Sequence, residues 1–150
     1  MSAARWVASF LGLGLAPVAP GTVGSLAALP PGLALLWLSP AALAAGVVVV
    51  VALGLWAIRA AGAGDDPGWV VIDEVAGQWI ALLALAHPSV LGALAAFAAF
   101  RLFDVTKPGP VGWAERLPGA VGVMADDVLA GVLAAAVVWG IGWAAPGWLN

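Results

Sequence analysis

The residues from 22 to 58 contain no charged side chain, and this stretch limits what the chain can fold into more than any other feature. A helix needs about 20 apolar residues to cross the hydrocarbon core of a bilayer. Pro30, Pro31 and Pro40 punctuate the stretch, so it predicts two membrane helices rather than one. Mean hydropathy is +1.10 and only 9% of the residues are charged, which indicates that lipid surrounds most of the chain.

The rest of the sequence predicts three more helices, separated by connections rich in glycine and proline. The predicted helices are residues 23–38, 41–60, 73–86, 89–103 and 122–143. Residues 62–68 are predicted as a turn-rich loop and residues 104–120 as a structured loop. We therefore expect a single all-α domain over residues 1–150. It is an integral membrane helical bundle of about five short transmembrane or re-entrant helices, the first of them short for a full span.

All charged residues are expected at one end of this bundle, because the connections between five consecutive spans alternate between the two sides. The basic residues at this end are Arg5, Arg59, Arg101, Lys107 and Arg116. Lysine and arginine concentrate in cytoplasmic loops, so the charged end is predicted to face the cytoplasm. The alternative explanation is that the loops at the other end are too short to carry charges.

Several classes of function are excluded by composition. The basic residues are scattered rather than clustered, which argues against nucleic acid as a partner. The chain has no cysteine and only one histidine, His87, so a bound metal is expected to be a hard cation with oxygen ligands. Residues 1–16 superficially resemble a signal peptide, but they continue into a proline-rich segment that is interpreted as a loop.

Acidic residues occur where three predicted helices meet the charged end: Asp73 with Glu74, Asp104, and Asp126 with Asp127. An anion near a helix N-terminus is favoured by the helix dipole, so the two pairs also have a purely structural explanation. Asp104 lies at a helix C-terminus, where the dipole disfavours an anion. It therefore requires a cation, for which Arg101, Lys107 and a metal are the candidates.

Spacing within the acidic pairs suggests how the helices come together. Neighbouring residues on a helix point about 100° apart, so in each pair one carboxylate is expected to face a shared centre directly. Asp73 and Asp127 are each followed four residues later by glycine, at Gly77 and Gly131. Glycine lets a neighbouring helix come close, so the two helices are predicted to converge beside these acids.

Carboxylates without histidine or cysteine form the ligand set that Mg²⁺ prefers, and bound Mg²⁺ commonly shares its coordination sphere with a substrate phosphate. The segment before the first long helix supplies glycines, hydroxyl groups and free backbone amides that suit a phosphate. Two basic side chains add positive charge. The predicted phosphate-binding residues are Gly21, Thr22, Gly24, Ser25, Lys107 and Arg101.

Three segments resemble the phosphatidylglycerophosphatase A family: PVAPGTVGS at 17–25, DDPGWVVIDEVAGQW at 65–79, and FRLFDVTKPGPVGWAERLPGAVGVMADD at 100–127. The resemblance covers nearly the whole chain, with the three blocks in the same order. It implies an enzyme of bacterial phospholipid synthesis in the cytoplasmic membrane. Such an enzyme removes the terminal phosphate of phosphatidylglycerol phosphate with the help of Mg²⁺.

On this basis Asp73, Glu74 and Asp126 are predicted to hold Mg²⁺, while Asp104 or Asp127 acts catalytically by orienting an attacking water. A covalent aspartyl-phosphate at Asp104 or Asp127 is the alternative mechanism. The predicted partner is the lipid substrate in the bilayer, and a homo-oligomer is also considered.

Three other functions make different predictions for the sequence. A cation-binding transport module predicts polar residues that continue through the bilayer, whereas the far halves of these helices are almost entirely apolar. An enzyme that transfers headgroups from a nucleotide donor would carry a D-G-x-x-A-R pattern, which does not occur here. A non-catalytic assembly subunit would tolerate neutralisation of Asp104 and Asp127.

Overall fold

A computed structural model describes residues 1–149 and folds the chain into helices, with no strand among those residues. The helices are α1 (Ala3–Ala8), α2 (Pro20–Leu38), α3 (Pro40–Ala60), α4 (Ile72–Leu82), α5 (Val90–Thr106), α6 (Pro110–Ala114) and α7 (Gly119–Ala144). A short 3₁₀ turn at Leu13–Leu15 precedes α2. The structure confirms the predicted all-helical membrane bundle, and it adds the short helices α1 and α6.

Within residues 1–149, three helices are long and apolar enough to cross a membrane: α2, α3 and α7, with 19, 21 and 26 residues. The first is longer than predicted because it begins at Pro20, three residues earlier. The α4 helix has only 11 residues and is too short to cross alone. It ends before the predicted residue 86, because the amides of Leu83 and Leu85 bond to carbonyls three residues back and tighten the chain into turns.

The helix starts follow from local sequence. Ser39 caps α3 by accepting a 3.0 Å hydrogen bond from the amide of Ala42, and Pro40 occupies the first helical position. Ser89 caps α5 in the same way, accepting from the amide of Gly92 at 2.9 Å. These two connections therefore turn the chain sharply from one helix into the next.

Helix α4 lies at the centre of the bundle and packs against α2, α3, α5 and α7. Apart from Glu74 and Ile80, every residue of α4 is buried. The outward surfaces of the longer helices are instead apolar and exposed, as at Trp37, Val48 and Trp143. This inversion of the soluble pattern, with polar groups inside and bulky apolar groups outside, suits a lipid environment.

Successive long helices alternate in direction. Ile72, which begins α4, lies against Gly54 near the end of α3, and Leu85, just after α4, lies against Gly92 near the start of α5. The starts of α2, α4 and α7 therefore meet the ends of α3 and α5 at one end of the bundle, and the acidic residues lie there.

Candidate functional site

Three carboxylates from two helices meet at the charged end of the bundle. Asp73 and Glu74 lie in the first turn of α4, and Asp127 lies about two turns inside α7. Each offers an oxygen atom, and these three atoms lie within 4.8 Å of one another. We call Asp73, Glu74 and Asp127 the acidic cluster. It is the kind of oxygen-rich group that could hold a divalent cation.

Close contact between α4 and α7 brings the cluster together. A side chain at Gly131 would meet the backbone of Gly77, whose Cα lies 2.9 Å from the position of the added Cβ. A side chain at Gly77 would in turn meet the carbonyl oxygen of Asp127 at 2.5 Å. The two glycines allow the helix backbones to touch one turn below Asp73 and Asp127, as the sequence predicted.

Two oxygen atoms of the cluster lack the partners that buried carboxylates require. Asp73 and Asp127 are only 5% and 4% exposed. The Oδ1 atom of Asp73 and the Oε2 atom of Glu74 are buried and have no hydrogen-bond partner among the described residues. Three acids this close repel one another, and their burial is costly without a compensating cation. Hard carboxylate oxygens that lie close together, two of them without a partner, fit a cation such as Mg²⁺.

A basic side chain borders the cluster on the side of α2 and α5. A side chain at Gly21 would collide with Oε1 of Glu74 and would lie 3.2 Å from Nη1 of Arg101, so the first turn of α2 runs directly beside both groups. Arg101 forms an ion pair with Asp104 three residues later. Of the cations proposed for Asp104 from the sequence, the structure supplies Arg101. Gly21, Arg101 and Asp104 thus lie next to the cluster.

Asp126 lies in a second group of charges. Its Oδ2 accepts from Nζ of Lys107 at 2.5 Å, and Lys107 also lies 3.2 Å from Oε1 of Glu115. The Oδ1 atom of Asp126 accepts from the amide of Asp127 at 3.0 Å. Partial burial lowers the pKa of Lys107, but the hydrogen bonds and charges of Asp126 and Glu115 outweigh that effect and raise the pKa. Asp126 therefore forms an ion pair with Lys107, whereas its neighbour Asp127 belongs to the acidic cluster.

The other predicted phosphate-binding residues of α2, namely Thr22, Gly24 and Ser25, differ in their burial and in what they contact. Thr22 is half-buried in the first turn of α2, beside Gly21. Ser25 is buried one turn further, and its hydroxyl donates to the carbonyl of Gly21 at 2.7 Å. Gly24 packs against Val71, with 2.8 Å from the position of an added Cβ to the Cβ of Val71. The absence of a side chain at Gly24 therefore lets α2 pack closely against Val71.

One polar residue near the site was missed from the sequence. Gln78 lies in α4 one turn after Glu74 and is completely buried. Neither atom of its side-chain amide has a hydrogen-bond partner among residues 1–149. The signal in the sequence is a glutamine four residues after an acid in an otherwise apolar segment.

Fold and site together define a helical membrane protein with a buried group of carboxylates, suited to a divalent cation, at one end of its bundle. Residues 6–142 match the family model of phosphatidylglycerophosphatase A, and the chain belongs to that family. It is accordingly an enzyme, a phosphatase embedded in the membrane.

Three relatives are similar along most of their length. Two are named phosphatidylglycerophosphatase A: one from Escherichia coli is 36% identical over 87% of this chain and 78% of its own length, and one from Haemophilus influenzae is 39% identical over 87% and 83%. A Bacteroides thetaiotaomicron protein, provisionally named a phosphatidylinositol-3-phosphatase, is 44% identical over 87% and 91%. No solved structure matches the chain.

Proposed function

We propose that this single membrane domain hydrolyses phosphatidylglycerol phosphate to phosphatidylglycerol and inorganic phosphate, with Mg²⁺, at the cytoplasmic face of a bacterial inner membrane. The observation that carries the proposal is the acidic cluster. Asp73 and Asp127 are buried, one oxygen each of Asp73 and Glu74 has no hydrogen-bond partner among the described residues, and the cluster lies at the end of the bundle where a lipid headgroup would meet the protein. Family membership supports the choice of a phosphate ester as substrate.

Asp73, Glu74 and Asp127 are proposed to hold the metal. Bound Mg²⁺ would neutralise the negative charge of the phosphate and polarise it toward attack. The protein's part is to fix three oxygen ligands on two helices that touch through Gly77 and Gly131. Ligands held by rigid elements suffer little reorganisation when the substrate binds, which favours catalysis.

The first turn of α2 and Arg101 are proposed to bind the phosphate. The first amides of a helix have no partner inside the helix, so those of Gly21 and Thr22 can donate to phosphate oxygens. Gly21 has no side chain to separate its backbone from Glu74 and Arg101. The guanidinium of Arg101 adds a donor that matches the geometry of a phosphate. A phosphate at this position would lie between the metal ligands and a fixed positive charge.

Asp104 is proposed to orient the attacking water. Its Oδ2 pairs with Arg101, which holds the side chain near the phosphate site and leaves Oδ1 available to accept from a water. The water oxygen forms a bond to phosphorus as the bond to the lipid oxygen breaks, and a proton of that water ends on the departing lipid alkoxide, which leaves as a hydroxyl. The alternative, in which an aspartate attacks phosphorus, predicts a phosphorylated protein. Labelled phosphate should remain on the acid-quenched enzyme only in that case.

The identity of the lipid rests on the relatives. Two of the three carry the name of the phosphatidylglycerol phosphate enzyme, and one is provisionally named for a phosphoinositide. Both lipids present a terminal phosphate monoester at the membrane surface. A direct comparison of the two as substrates, in vesicles of otherwise identical composition, would decide between them, and we expect faster release from phosphatidylglycerol phosphate.

The decisive experiment measures phosphate release by purified protein in such vesicles, with Mg²⁺ or with a chelator. We expect activity that requires Mg²⁺ and falls at least about 100-fold in Asp73→Asn and Asp127→Asn. Asp65→Asn is the matched control, because Asp65 is an exposed carboxylate at the same end of the bundle. Equal activity in all four proteins, or full activity without any divalent cation, would refute the proposed site.

A further inference from the structure

Gln78 differs from the other buried polar side chains because both polar atoms of its side chain are buried without a hydrogen-bond partner among the described residues. The neighbouring Trp79 is also buried, and its indole N–H donates to the carbonyl of Ala28 at 2.8 Å. The buried hydroxyl of Ser25 likewise donates to a carbonyl. Gln78 is 0% exposed, and neither its amide nitrogen nor its amide oxygen has a partner among the described residues. A buried amide without partners destabilises a fold, so packing alone does not explain this glutamine.

The position of Gln78 relates it to the acidic cluster. Residues four apart lie on the same face of a helix, so Gln78 follows Glu74 by about one turn, roughly 6 Å along the helix axis. Glu74 also has a buried oxygen, Oε2, without a partner. An unused amide donor and an unused carboxylate acceptor therefore occupy adjacent turns on one face of α4.

We infer that Gln78 is a positioning residue for the metal site: its amide nitrogen donates to the carboxylate of Glu74 when the cluster holds a divalent cation. The inference rests on the proposed function and deepens it. A carboxylate that gives one oxygen to a metal is oriented by a donor on its other oxygen, and loss of such a donor weakens metal binding by about 10- to 100-fold. Glu74 has a buried oxygen, Oε2, that such a donor would satisfy.

Gln78→Met tests the inference, since methionine is similar in length and apolar. We expect the melting temperature of the metal-free protein in detergent to stay the same or rise, because two unbonded polar atoms are removed. The affinity for Mg²⁺, measured by calorimetry and by the metal-dependent rise in melting temperature, should fall about 10-fold or more. Leu82→Met is the matched control, because Leu82 is a fully buried residue of the same helix, and it should bind Mg²⁺ like the wild type.

A purely structural role for Gln78 gives the opposite pattern, with a lower melting temperature and unchanged Mg²⁺ affinity, and that result would overturn the inference. Gln78→Leu repeats the measurement if the methionine variant does not fold. If the wild type itself binds no Mg²⁺, the proposed metal site fails and this inference fails with it. If the wild type and Gln78→Met bind Mg²⁺ equally well, only the role of Gln78 is lost.

Discussion

Asp126 and Asp127 are adjacent in sequence, and the structure gives them different surroundings. Asp127 faces Asp73 and Glu74 across the contact between α4 and α7, whereas Asp126 faces Lys107. The step of about 100° between neighbouring helical residues accounts for the separation. Lys107 neutralises Asp126. Asp127 is then the carboxylate of the pair that a bound cation would neutralise.

The pairing of Lys107 with Asp126 leads to a prediction about stability. Lys107→Met leaves the carboxylate of Asp126, which is 3% exposed, without its cation, and we expect a loss of about 1–3 kcal/mol in the free energy of unfolding. Because the folded state raises the pKa of Lys107, this stabilisation is fully present below about pH 10.4 and is lost as the pH rises further.

Thermal unfolding in detergent at neutral pH measures the effect, and Arg116→Met serves as the control because Arg116 is exposed and forms no ion pair among the described residues. Equal melting temperatures for the wild type and Lys107→Met would show that the ion pair contributes nothing to stability.

At the residue scale, the acids of the site could be predicted from the sequence. The sequence did not show that Asp127 lies in the acidic cluster while Asp126 pairs with Lys107. The sequence limits the cation beside Asp104 to Arg101, Lys107 or a metal, because the two basic residues are each about one turn away along the chain. The partner of Asp126 could not be predicted, since Lys107 precedes it by 19 residues and reaches it only after a loop and α6. The role of Gln78 was also hidden, because its lack of partners is visible only once its neighbours are in place.

At the scale of helices, the contact between α4 and α7 depends on two glycines that have no space for a side chain. Gly131→Ala would place a methyl group against the backbone of Gly77, which cannot move aside as a flexible side chain can. We expect a loss of about 1–3 kcal/mol in stability, together with weaker Mg²⁺ binding, because the helices that carry the cluster are forced apart.

Gly140→Ala provides a control in the same helix, because an added Cβ there has no neighbour within 4 Å. Alanine favours helix formation by about 1 kcal/mol over glycine, so this variant should be as stable as the wild type or more stable. Melting temperatures of the two variants in detergent test the contrast. Similar values for both would mean that α4 and α7 do not touch at Gly131.

Most helices could be predicted from uninterrupted apolar runs, and the glycines at matching distances from the acids predicted where two of them converge. The sequence predicts the end of α4 too late, because residues 83–86 continue the apolar run of the helix. Helix α6 was missed because proline and glycine surround it. Its place is set by packing against α7, which local sequence does not reveal.

At the scale of the whole molecule, the orientation in the membrane can be tested directly, because the chain contains no cysteine. We expect Asp65→Cys to react with an impermeant maleimide only from the cytoplasmic side, and His87→Cys only from the other side. Both residues are exposed in loops at opposite ends of the bundle. Labelling of intact cells, compared with labelling of inverted vesicles, gives the answer. The reverse pattern would place the cluster on the outer face and contradict the proposed location.

The alternation of helix directions, which collects the acids at one end, has a consequence for the lipids themselves. With its catalytic site at this end, the enzyme would act on only one leaflet, and a substrate molecule on the opposite monolayer would stay unprocessed until it flips across. The released phosphate and the shortened headgroup would also remain on the side where they formed. Dephosphorylation by this protein would then create an asymmetry between the two monolayers, and a separate lipid translocator would be needed to remove it.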